Sequence, residues 1–539
     1  MAFKRYNAYE YMKKYRLKFN YVFSAMAATG IALALLMSDY RTLSILTALT
    51  AINLLIIKKL LDINQRTHSL FLRELSDIFE LLLQIALILM LLVIAGSYLA
   101  GISKDTALLF ALGVIVSALP ISVFIIIYLI FNNFNKKLNI KNSLNNVDIG
   151  SVEYIIGESS ELFNNKKLKF NEISNEIEQS AVSAKLAHIK LLIHDDLSNY
   201  HAKGLALKLG LEKIVHSKDL KDKTDNQIYG LISRGALLNN ISINDKKRII
   251  SVLNYKQKYI LACASSKRSQ EYYAEADLTL GSRDFIKLMA VVLEGRVNQI
   301  NFNIIFRTIV ATAGAGMTAV VFSLLAFCYY KIAPPLTPSL LMFAGLILIP
   351  PLFAMAFDQP EKNYLKSKPK NPEEQIFNAF SFLGLIGFGV MTATLSFLAY
   401  LLYFQIVGVS PLNLTDFNVP LYHQATTLAF LTFSLCTMLY IIFERADKHR
   451  KVYSDFLIDN PRLIASFGFN ILILILVIYL EPLQYVLKTG SLGLTEWLVA
   501  IACSGIYVLL RQTQRYTRKH SRKAVIELQK ELTKPRKLI

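Results

Sequence analysis

Three carboxylates in the polar middle of the chain have the side chains and the spacing to do chemistry. Glu158 follows the apolar run Val152–Ile156, and Asp195 and Asp196 follow the apolar run Ile189–Ile193. Ligands of parallel sheets bind at the carboxyl ends of the strands, so we expect these acids to lie at one edge of a sheet. Glu158, near the other two, could hold Mg²⁺ there or mimic a phosphorylated side chain. The alternative is that they are solvated loop acids.

Two other polar groups have weaker signals. A basic, serine-rich segment follows the strand-like run Tyr259–Ala264 and could hold an anion, as backbone and basic groups at strand ends often do; the commoner explanation is an exposed basic loop. Its residues are Ser265, Ser266, Lys267, Arg268 and Ser269. His194 and His201 lie about two helical turns apart with no cysteine nearby, so we expect no metal site from them.

Short strands and helices alternate around these residues, between positions 133 and 300. The strand-like runs are the three named above. Helical stretches are expected near Phe170–His188 and Tyr200–Leu209. This alternation predicts an α/β domain with a parallel sheet.

The composition of the rest indicates a polytopic membrane protein. The chain has 539 residues, of which 54% are hydrophobic, and its mean hydropathy is +0.40. The net charge of +20 could suit nucleic acid, but much of it flanks apolar runs, as the positive-inside rule describes. We therefore expect a lipid bilayer and no nucleic acid as partner. The four cysteines are too far apart for a zinc motif or a disulfide framework.

Ten apolar runs are long enough to span a bilayer core of about 30 Å, which needs about 20 residues per helix. They lie near 20–38, 42–61, 81–100, 106–131, 308–330, 338–357, 379–407, 425–443, 463–480 and 494–510. The predicted organisation is membrane helices at 1–132, the α/β domain at 133–300, membrane helices at 301–510 and a basic tail at 511–539. The tail is expected to be a helix, either on the membrane surface or in solvent.

Basic residues predict the orientation. They cluster before the first run, between the second and third runs, and in two later loops, one of which begins at Arg445. The positive-inside rule then places both termini in the cytoplasm, and we expect a bacterial inner membrane.

The stretch Asn146–Phe170, NVDIGSVEYIIGESSELFNNKKLKF, resembles the P-type ATPases, the cation-pump family. It follows the phrase SALPISVF, and the family has V-E-T-L-G-S-x-x-x-I-C-S-D-K-T-G-T-L-T-x-N-K-M after a similar proline-kinked helix. The matching positions are Val147, Asp148, Gly150, Ser151, Ile156, Lys167 and Leu168. The family's phosphorylated Asp falls on Glu158.

Two later blocks continue the resemblance, which covers about residues 15–510 with gaps. EADLTLGSRDFIKLMAVVLEGR resembles the family's E-A-A-D-M-V-L-x-D-D-N-F-x-x-I-x-x-A-V-x-E-G-R, and SINDKKRIISVL places Lys246 on its phosphate-facing lysine. The resemblance implies a ten-helix bundle of the P-type ATPase kind with an inserted haloacid-dehalogenase-like domain.

The chemistry of the family is replaced in this sequence. Its T-G-D falls on His194, Asp195 and Asp196, and ILACASSKRSQEYY stands where G-D-G-x-N-D-x-P is expected. Only about 30 residues separate Glu158 from Ile189, too few for a nucleotide-binding domain, and Leu60–Glu80 has no T-G-E-S motif. We therefore expect a pseudo-ATPase without cofactors, with Mg²⁺ the one ion to consider. The possible residual phosphate or metal site is Glu158, Asp195, Asp196 and Lys246.

The family's membrane cation site is also replaced. Its carboxylate and amide positions fall on Ile121, Ala344 and Leu348, and we expect no metal site there. Pro120 and the pair Pro350–Pro351 are expected to break helices where the pumps unwind them, which leaves either a central cavity for a weakly polar or lipidic molecule or inherited kinks in a packed bundle. Acids at helix ends are expected to be solvated; they are Asp77, Glu80, Glu444, Glu481 and Glu496.

Three functions remain open at this point. The first is a catalytically inactive pseudo-pump that acts as a binding, regulatory or scaffold protein for a protein partner. The second is an ATP-independent transporter or lipid-handling protein that uses the membrane cavity for an unknown small substrate. The third is an enzyme, either an active cation-transporting ATPase with unusual motifs or one with altered chemistry at Glu158, Asp195 and Asp196.

Overall fold

An α/β domain lies between two sets of apolar helices in this computed structural model. It describes residues 24–25, 27–36, 47–48, 51, 55, 70–118, 149–163, 175–256, 258–264, 266–281, 285–358, 369, 379–413, 420–449 and 460–532. The candidates Pro120, Ile121 and Ser265 lie outside these residues.

Seven described helices are long and apolar enough to cross a membrane, so the chain is an integral membrane protein. They are Glu80–Leu99, Phe285–Tyr330, Pro338–Met355, Gly384–Val407, Pro420–Ala446, Pro461–Tyr479 and Leu494–Thr517. These coincide with seven of the ten predicted spans, and the count of ten is not confirmed. Of the other three, the first includes the shorter apolar helix Ala27–Leu36, the second lies mostly outside the described residues, and the fourth is described only as the helix Lys104–Ala118.

The complete helices extend beyond those apolar windows in several places. Before the domain the described helices are Leu70–Leu99 and Lys104–Ala118. After it they are Phe285–Tyr330, Pro338–Ile347, Ile349–Met355, Ala379–Val407, Pro420–His449, Pro461–Tyr479, Glu481–Leu487 and Leu494–Leu532. The last of these is continuous through position 510, where we had placed the start of a separate tail.

The domain contains a six-stranded, fully parallel sheet in the order β3-β4-β2-β1-β5-β6. Its strands are β1 Tyr154–Glu158, β2 Lys190–Asp195, β3 Ile214–Val215, β4 Ala236–Asn239, β5 Ile260–Cys263 and β6 Leu278–Leu280. Its helices are Ser159–Leu162, Asn175–Leu186, Asn199–Lys208, Ser217–Leu220, Asp225–Ile232, Ile243–Tyr255 and Lys267–Tyr272. The parallel sheet was predicted, with β1, β2 and β5 within two residues of their predicted ends.

Two apolar clusters cover the two faces of the sheet, which is why its central strands have almost uninterrupted apolar sequences. In β1, Ile155 packs on one face, and Tyr154 and Ile156 pack on the other. Glu158 has the same alternation as Ile156, so its side chain emerges on the second face, beneath the helix Ile243–Tyr255.

The helix Phe285–Tyr330, hereafter the long helix, joins the domain to the membrane bundle. Its 46 residues make it about 69 Å long at 1.5 Å per residue. The turn before β1 packs directly on it: a Cβ atom added to Gly295 would lie 2.8 Å from the backbone N of Gly150. Gln299 Nε2 also donates a hydrogen bond of 2.7 Å to Ser151 Oγ. The amino-terminal edge of the sheet is therefore fixed to the long helix and lies on the side of the domain that faces the membrane bundle.

We predict that Gly295→Ala loosens this junction. The added methyl group would meet backbone atoms that cannot rotate away, and overpacking of this kind costs about 1 to 3 kcal/mol. Thermal unfolding of the purified protein should show the loss. Amide hydrogen exchange at residues 149–153 should become faster.

Gly314→Ala is the matched control in the same helix. A Cβ atom there has no neighbour within 4 Å, and alanine favours helix over glycine by about 1 kcal/mol. Equal destabilisation by the two substitutions would contradict the assignment of Gly295 as a packing contact. Gly316 is no substitute as control, because its Cβ would lie 2.7 Å from Ser117 Oγ.

Buried charges connect the helix ends on the domain side of the bundle. Arg445 Nε and Nη2 donate to Asp358 at 2.6 and 3.0 Å, and both side chains are at most 2% exposed. Glu444 accepts from Arg307 and lies 3.7 Å from Arg511. Our expectation that Glu444 is solvated was wrong, because arginines from two other helices neutralise it. Arg445, counted above as a loop residue, is buried as well.

Candidate functional site

Three of the four candidate residues of the domain come together at the carboxyl edge of the sheet. β1 ends at Glu158 and β2 ends at Asp195, and Glu158 is in register with His194. Lys246 reaches the same edge from the first half of the helix Ile243–Tyr255. Asp196 is beside them in sequence, but its side chain is exposed.

Glu158 and Lys246 form an ion pair at the end of the central strand. Lys246 Nζ lies 3.0 Å from Glu158 Oε1, and the two side chains are 12% and 35% exposed. The helix that carries Lys246 is fixed at its start, where Ser242 Oγ accepts from the backbone N of Asp245 and donates to its carboxylate. This cap fixes the start of the helix from which Lys246 reaches Glu158.

Asp195 is engaged through both of its oxygens. Ser159 Oγ donates to Oδ2, and the backbone N of Asp196 donates to Oδ1 at 2.8 Å. Burial raises the pKa of Asp195, and the hydrogen bond from Ser159 opposes that shift. The loop that follows β2 is held by Asn239, which is fully buried at the end of β4 and makes two hydrogen bonds with the backbone of Leu197.

Sequence reasoning missed the role of Glu161. Its side chain is buried, and its Oε1 accepts from Ser269 Oγ at 2.8 Å and from the backbone N of Ser266 at 3.3 Å. The segment after β5, which we considered for a free anion, therefore binds a carboxylate of the same domain. The spacing of three between Ser266 and Ser269 was a signal for the N-cap of the helix Lys267–Tyr272, but no local signal pointed to Glu161.

His194 lies behind the ion pair in a closed environment. It is 2% exposed, its ring centre is 5.9 Å from that of Tyr273, and neither ring nitrogen has a hydrogen-bond partner among the described residues. Burial lowers the pKa of His194 well below its usual value, and the charge of Lys246 lowers the pKa further. The imidazole is therefore neutral at pH 7.

We predict that His194 makes the domain acid-sensitive. In the unfolded chain a histidine takes up a proton near pH 6.5, whereas the buried neutral ring does not, so stability falls as the pH drops below about 6.5. His194→Phe removes this proton uptake. Between pH 5 and 6.5, thermal unfolding should therefore shift less with pH in the variant than in the parent protein.

The comparison with the parent separates the effect of His194 from that of groups whose protonation changes stability in the opposite direction. Burial raises the pKa of Asp277 to about 6, so protonation of Asp277 favours the folded state as the pH falls. That contribution is common to both proteins. His201→Phe is the matched control, because His201 is exposed. A parallel pH profile for His194→Phe and the parent would contradict the prediction.

The acids of this edge do not fit a Mg²⁺ site as they stand. Mg²⁺ needs near-octahedral oxygen ligands, whereas Glu158 Oε1 is held by an ammonium group and both Asp195 oxygens accept hydrogen bonds. Among the described residues no three His, Cys, Asp or Glu side chains gather as metal ligands. The arrangement is suited to holding the loops of the edge together.

The second candidate region is the break at Pro350 and Pro351. Leu348 separates the helices Pro338–Ile347 and Ile349–Met355, and the prolines have no N–H to donate to the preceding turn. Asn470 Nδ2 donates to the freed carbonyl of Ile347 at 2.6 Å. Asn470 is fully buried, and its Oδ1 has no hydrogen-bond partner in the part of the chain that the structure describes.

Comparisons with known proteins agree with this architecture over part of the chain. Residues 333–517 match the family described as "Cation transporting ATPase, C-terminus". The chain is 22% identical over 367 residues to a calcium-transporting ATPase of Bacillus subtilis (strain 168), a match that covers 64% of this chain and 39% of the relative. It is 21% identical over 374 residues to calcium-transporting ATPase 1 of Bacillus cereus (strain ATCC 10987 / NRS 248), with 64% and 41% covered.

The two matches have the same extent. Each covers about two fifths of the relative's length. The family match, from 333 to 517, includes the described helices from Pro338–Ile347 to Glu481–Leu487 and the apolar part of Leu494–Leu532. Over part of its length the chain is therefore similar to the cation-transporting P-type ATPases.

Proposed function

We propose that this protein is a catalytically inactive member of the family that acts by binding, as a scaffold or regulator of a protein partner. The observation that carries the proposal is that a glutamate, Glu158, ends β1 at the position of the family's phosphorylated Asp, while the nearby acids Asp195 and Glu161 are engaged within the domain. In this proposal the residual site that we named from the sequence has a structural role, which is to hold the loops of the edge together.

The chemistry of phosphoryl transfer supports this view. The reaction requires an in-line nucleophile and Mg²⁺ that bridges the phosphates. Glutamate has one methylene more than aspartate, and a misplacement of about 1 Å can cost about a hundredfold in rate. In addition, Glu161 occupies the segment after β5 through its hydrogen bonds with Ser266 and Ser269.

The test is ATP turnover by the full-length protein with Mg²⁺ in lipid nanodiscs. We expect no turnover above that of empty nanodiscs, and no change with Glu158→Ala. Glu212→Ala, an exposed acid at the opposite edge of the domain, is the matched control. Turnover that Glu158→Ala abolishes and Glu212→Ala preserves would overturn the proposal in favour of an active pump with unusual motifs.

A second candidate function is ATP-independent transport, which the buried Asn470 favours. An amide oxygen without a partner beside a broken helix is costly in a membrane and is therefore a candidate contact for a weakly polar substrate. Flux into liposomes without nucleotide, lost with Asn470→Leu and kept with Asn413→Leu, would support transport and contradict the pure scaffold.

A further inference from the structure

The amino-terminal edge of the sheet is a basic surface that the proposed function does not use. Six cations lie in or beside the loops that enter β2 to β5, against two carboxylates at this part of the edge, Glu153 and Glu212. The cations are Lys185, Lys190, Lys213, Arg234, Lys256 and Lys258. Glu275, before β6, marks the end of this surface, hereafter the basic edge.

Only part of this positive charge is neutralised within the domain. Glu153 lies 4.0 Å from Lys190 and 3.3 Å from Lys258. Glu212 lies 3.3 Å from Arg234. Among the described residues, the remaining Lys185, Lys213 and Lys256 have no carboxylate partner. The opposite edge also has exposed lysines, among them Lys218, Lys221 and Lys247, but it carries the acids Glu158, Asp195 and Asp196 as well.

The basic edge faces the membrane. The turn before β1 packs on Gly295 of the long helix, and the bundle lies toward the Tyr330 end of that helix. All strands are parallel, so every loop that enters a strand lies on this side of the domain.

The helix Pro461–Tyr479 locates the near boundary of the hydrocarbon core. Its 19 residues are about 28 Å long, close to the core thickness of about 30 Å. Its first turn is capped by Asn460, which donates to the carbonyl of Ala354 and to Asp358. Asn301 of the long helix donates to the carbonyl of Asp358 at 2.8 Å, so Asn301 lies near this boundary.

The vertical distance from Asn301 to the domain is small. Gly295 is six residues up the long helix, or about 9 Å of rise. The headgroup layer on one side of a bilayer is about 5 to 8 Å thick, and charges interact in solution over about 8 Å at physiological salt. The base of the domain therefore lies at the level of the headgroups or just above it.

We propose that the basic edge docks on anionic phospholipid headgroups of the leaflet that the domain faces. Three lysines without carboxylate partners supply the attraction. Leu186 and Tyr255, 54% and 74% exposed at the same edge, supply apolar and aromatic side chains that suit a membrane interface. The bilayer is then a contact surface of the domain as well as the solvent of the bundle.

The test compares full-length protein in nanodiscs of pure phosphatidylcholine with nanodiscs of phosphatidylcholine and phosphatidylglycerol in equal parts. Amide hydrogen exchange at residues 185–190 and 255–260 should be slower in the anionic nanodiscs. High salt should remove the difference, because screening weakens contacts between exposed charges.

Charge-neutralising variants then locate the contact. In the triple variant Lys185→Gln, Lys213→Gln, Lys256→Gln, the slowing should disappear. Each lysine near an anionic surface contributes about 1 kcal/mol, or about a fivefold change in the docked population. The matched control Lys218→Gln, Lys221→Gln, Lys247→Gln neutralises three exposed lysines at the opposite edge and should keep the slowing.

Two results would overturn the proposal. Equal exchange in both nanodisc compositions would exclude anionic lipid and leave an acidic protein as the occupant. Slowing that both triple variants retain would mean that the basic edge is not the contact. Neither outcome depends on whether Glu158 supports ATP turnover, so this inference and the proposed function can fail separately.

Discussion

Full-length protein incubated with radiolabelled ATP and Mg²⁺ is expected to incorporate no acid-stable label. The P-type pumps carry the phosphoryl group on an aspartate, and we propose that the corresponding position in this chain is Glu158, which pairs with Lys246 at 3.0 Å. Forming an acyl phosphate would require bringing Mg²⁺ to an edge where both oxygens of Asp195 and one oxygen of Glu161 are already engaged. We expect the amount of label to equal that of a heat-denatured control.

Substitution at the same position makes this prediction sharper. Glu158→Asp restores the family's residue but shortens the side chain and leaves Glu161 bound to Ser266 and Ser269. We expect this variant to remain unlabelled, because the nucleophile is only one of the parts that phosphoryl transfer requires. Label in the parent that is lost with Glu158→Ala and released by hydroxylamine would contradict the prediction. A calcium pump in the same assay is the positive control.

The parts of the fold that sequence predicted are those with a strong local signal. β1, β2 and β5 have four buried residues each, and an apolar run between polar segments is visible in any window. β4 also has four buried residues, and its run was overlooked. β3 has two residues and β6 has three, too few for a periodic pattern. Their positions depend on pairing with β4 and β5, which is a property of the folded sheet.

The candidate site was predictable in its position and not in its contacts. Parallel topology brings strand ends to one edge, so Glu158 and Asp195 were expected to be close. The partners of Glu161 are more than 100 residues away along the chain, and no local pattern distinguishes this buried acid from a solvated one. Glu444 was misjudged for the same reason, since Arg307 is 137 residues away.

The structure also changes how the charged residues of the membrane region should be interpreted. A count of basic residues treats Arg445 as a marker of a cytoplasmic loop, but its guanidinium group is buried against Asp358. Charges that are buried in ion pairs report on helix packing. Charges that remain exposed, such as those of the basic edge, are the ones that can report on the membrane surface.

Asp358→Ala is expected to be among the most destabilising single substitutions in the described part of the chain. It would remove the carboxylate that accepts two hydrogen bonds from Arg445, whose side chain is 2% exposed. Breaking a buried pair by removing one partner typically costs about 3 to 5 kcal/mol. Asn460 would lose a contact as well, since its Nδ2 lies 3.4 Å from Asp358 Oδ1. Thermal unfolding in detergent, followed by circular dichroism, measures the effect.

The double variant Asp358→Leu, Arg445→Met separates the cost of removing one partner of the buried pair from a loss of packing. It replaces both charges with apolar side chains of similar size, a change that is often neutral or stabilising for buried pairs. We therefore expect it to be more stable than Asp358→Ala. Glu212→Ala breaks the exposed pair with Arg234, whose side chains are 51% and 76% exposed, and should cost about 1 kcal/mol or less.

The order of the three stabilities decides what this pair does. If the double variant restores stability, the pair makes no net contribution to stability, and only the loss of one partner is costly. The connection between the long helix and its neighbours then rests on apolar packing. If the double variant is as unstable as Asp358→Ala, the hydrogen bonds around Asp358 hold the helix ends together, and Asn301 and Asn460 belong to the same structural unit. Equal stability of Asp358→Ala and Glu212→Ala would contradict the burial of the pair.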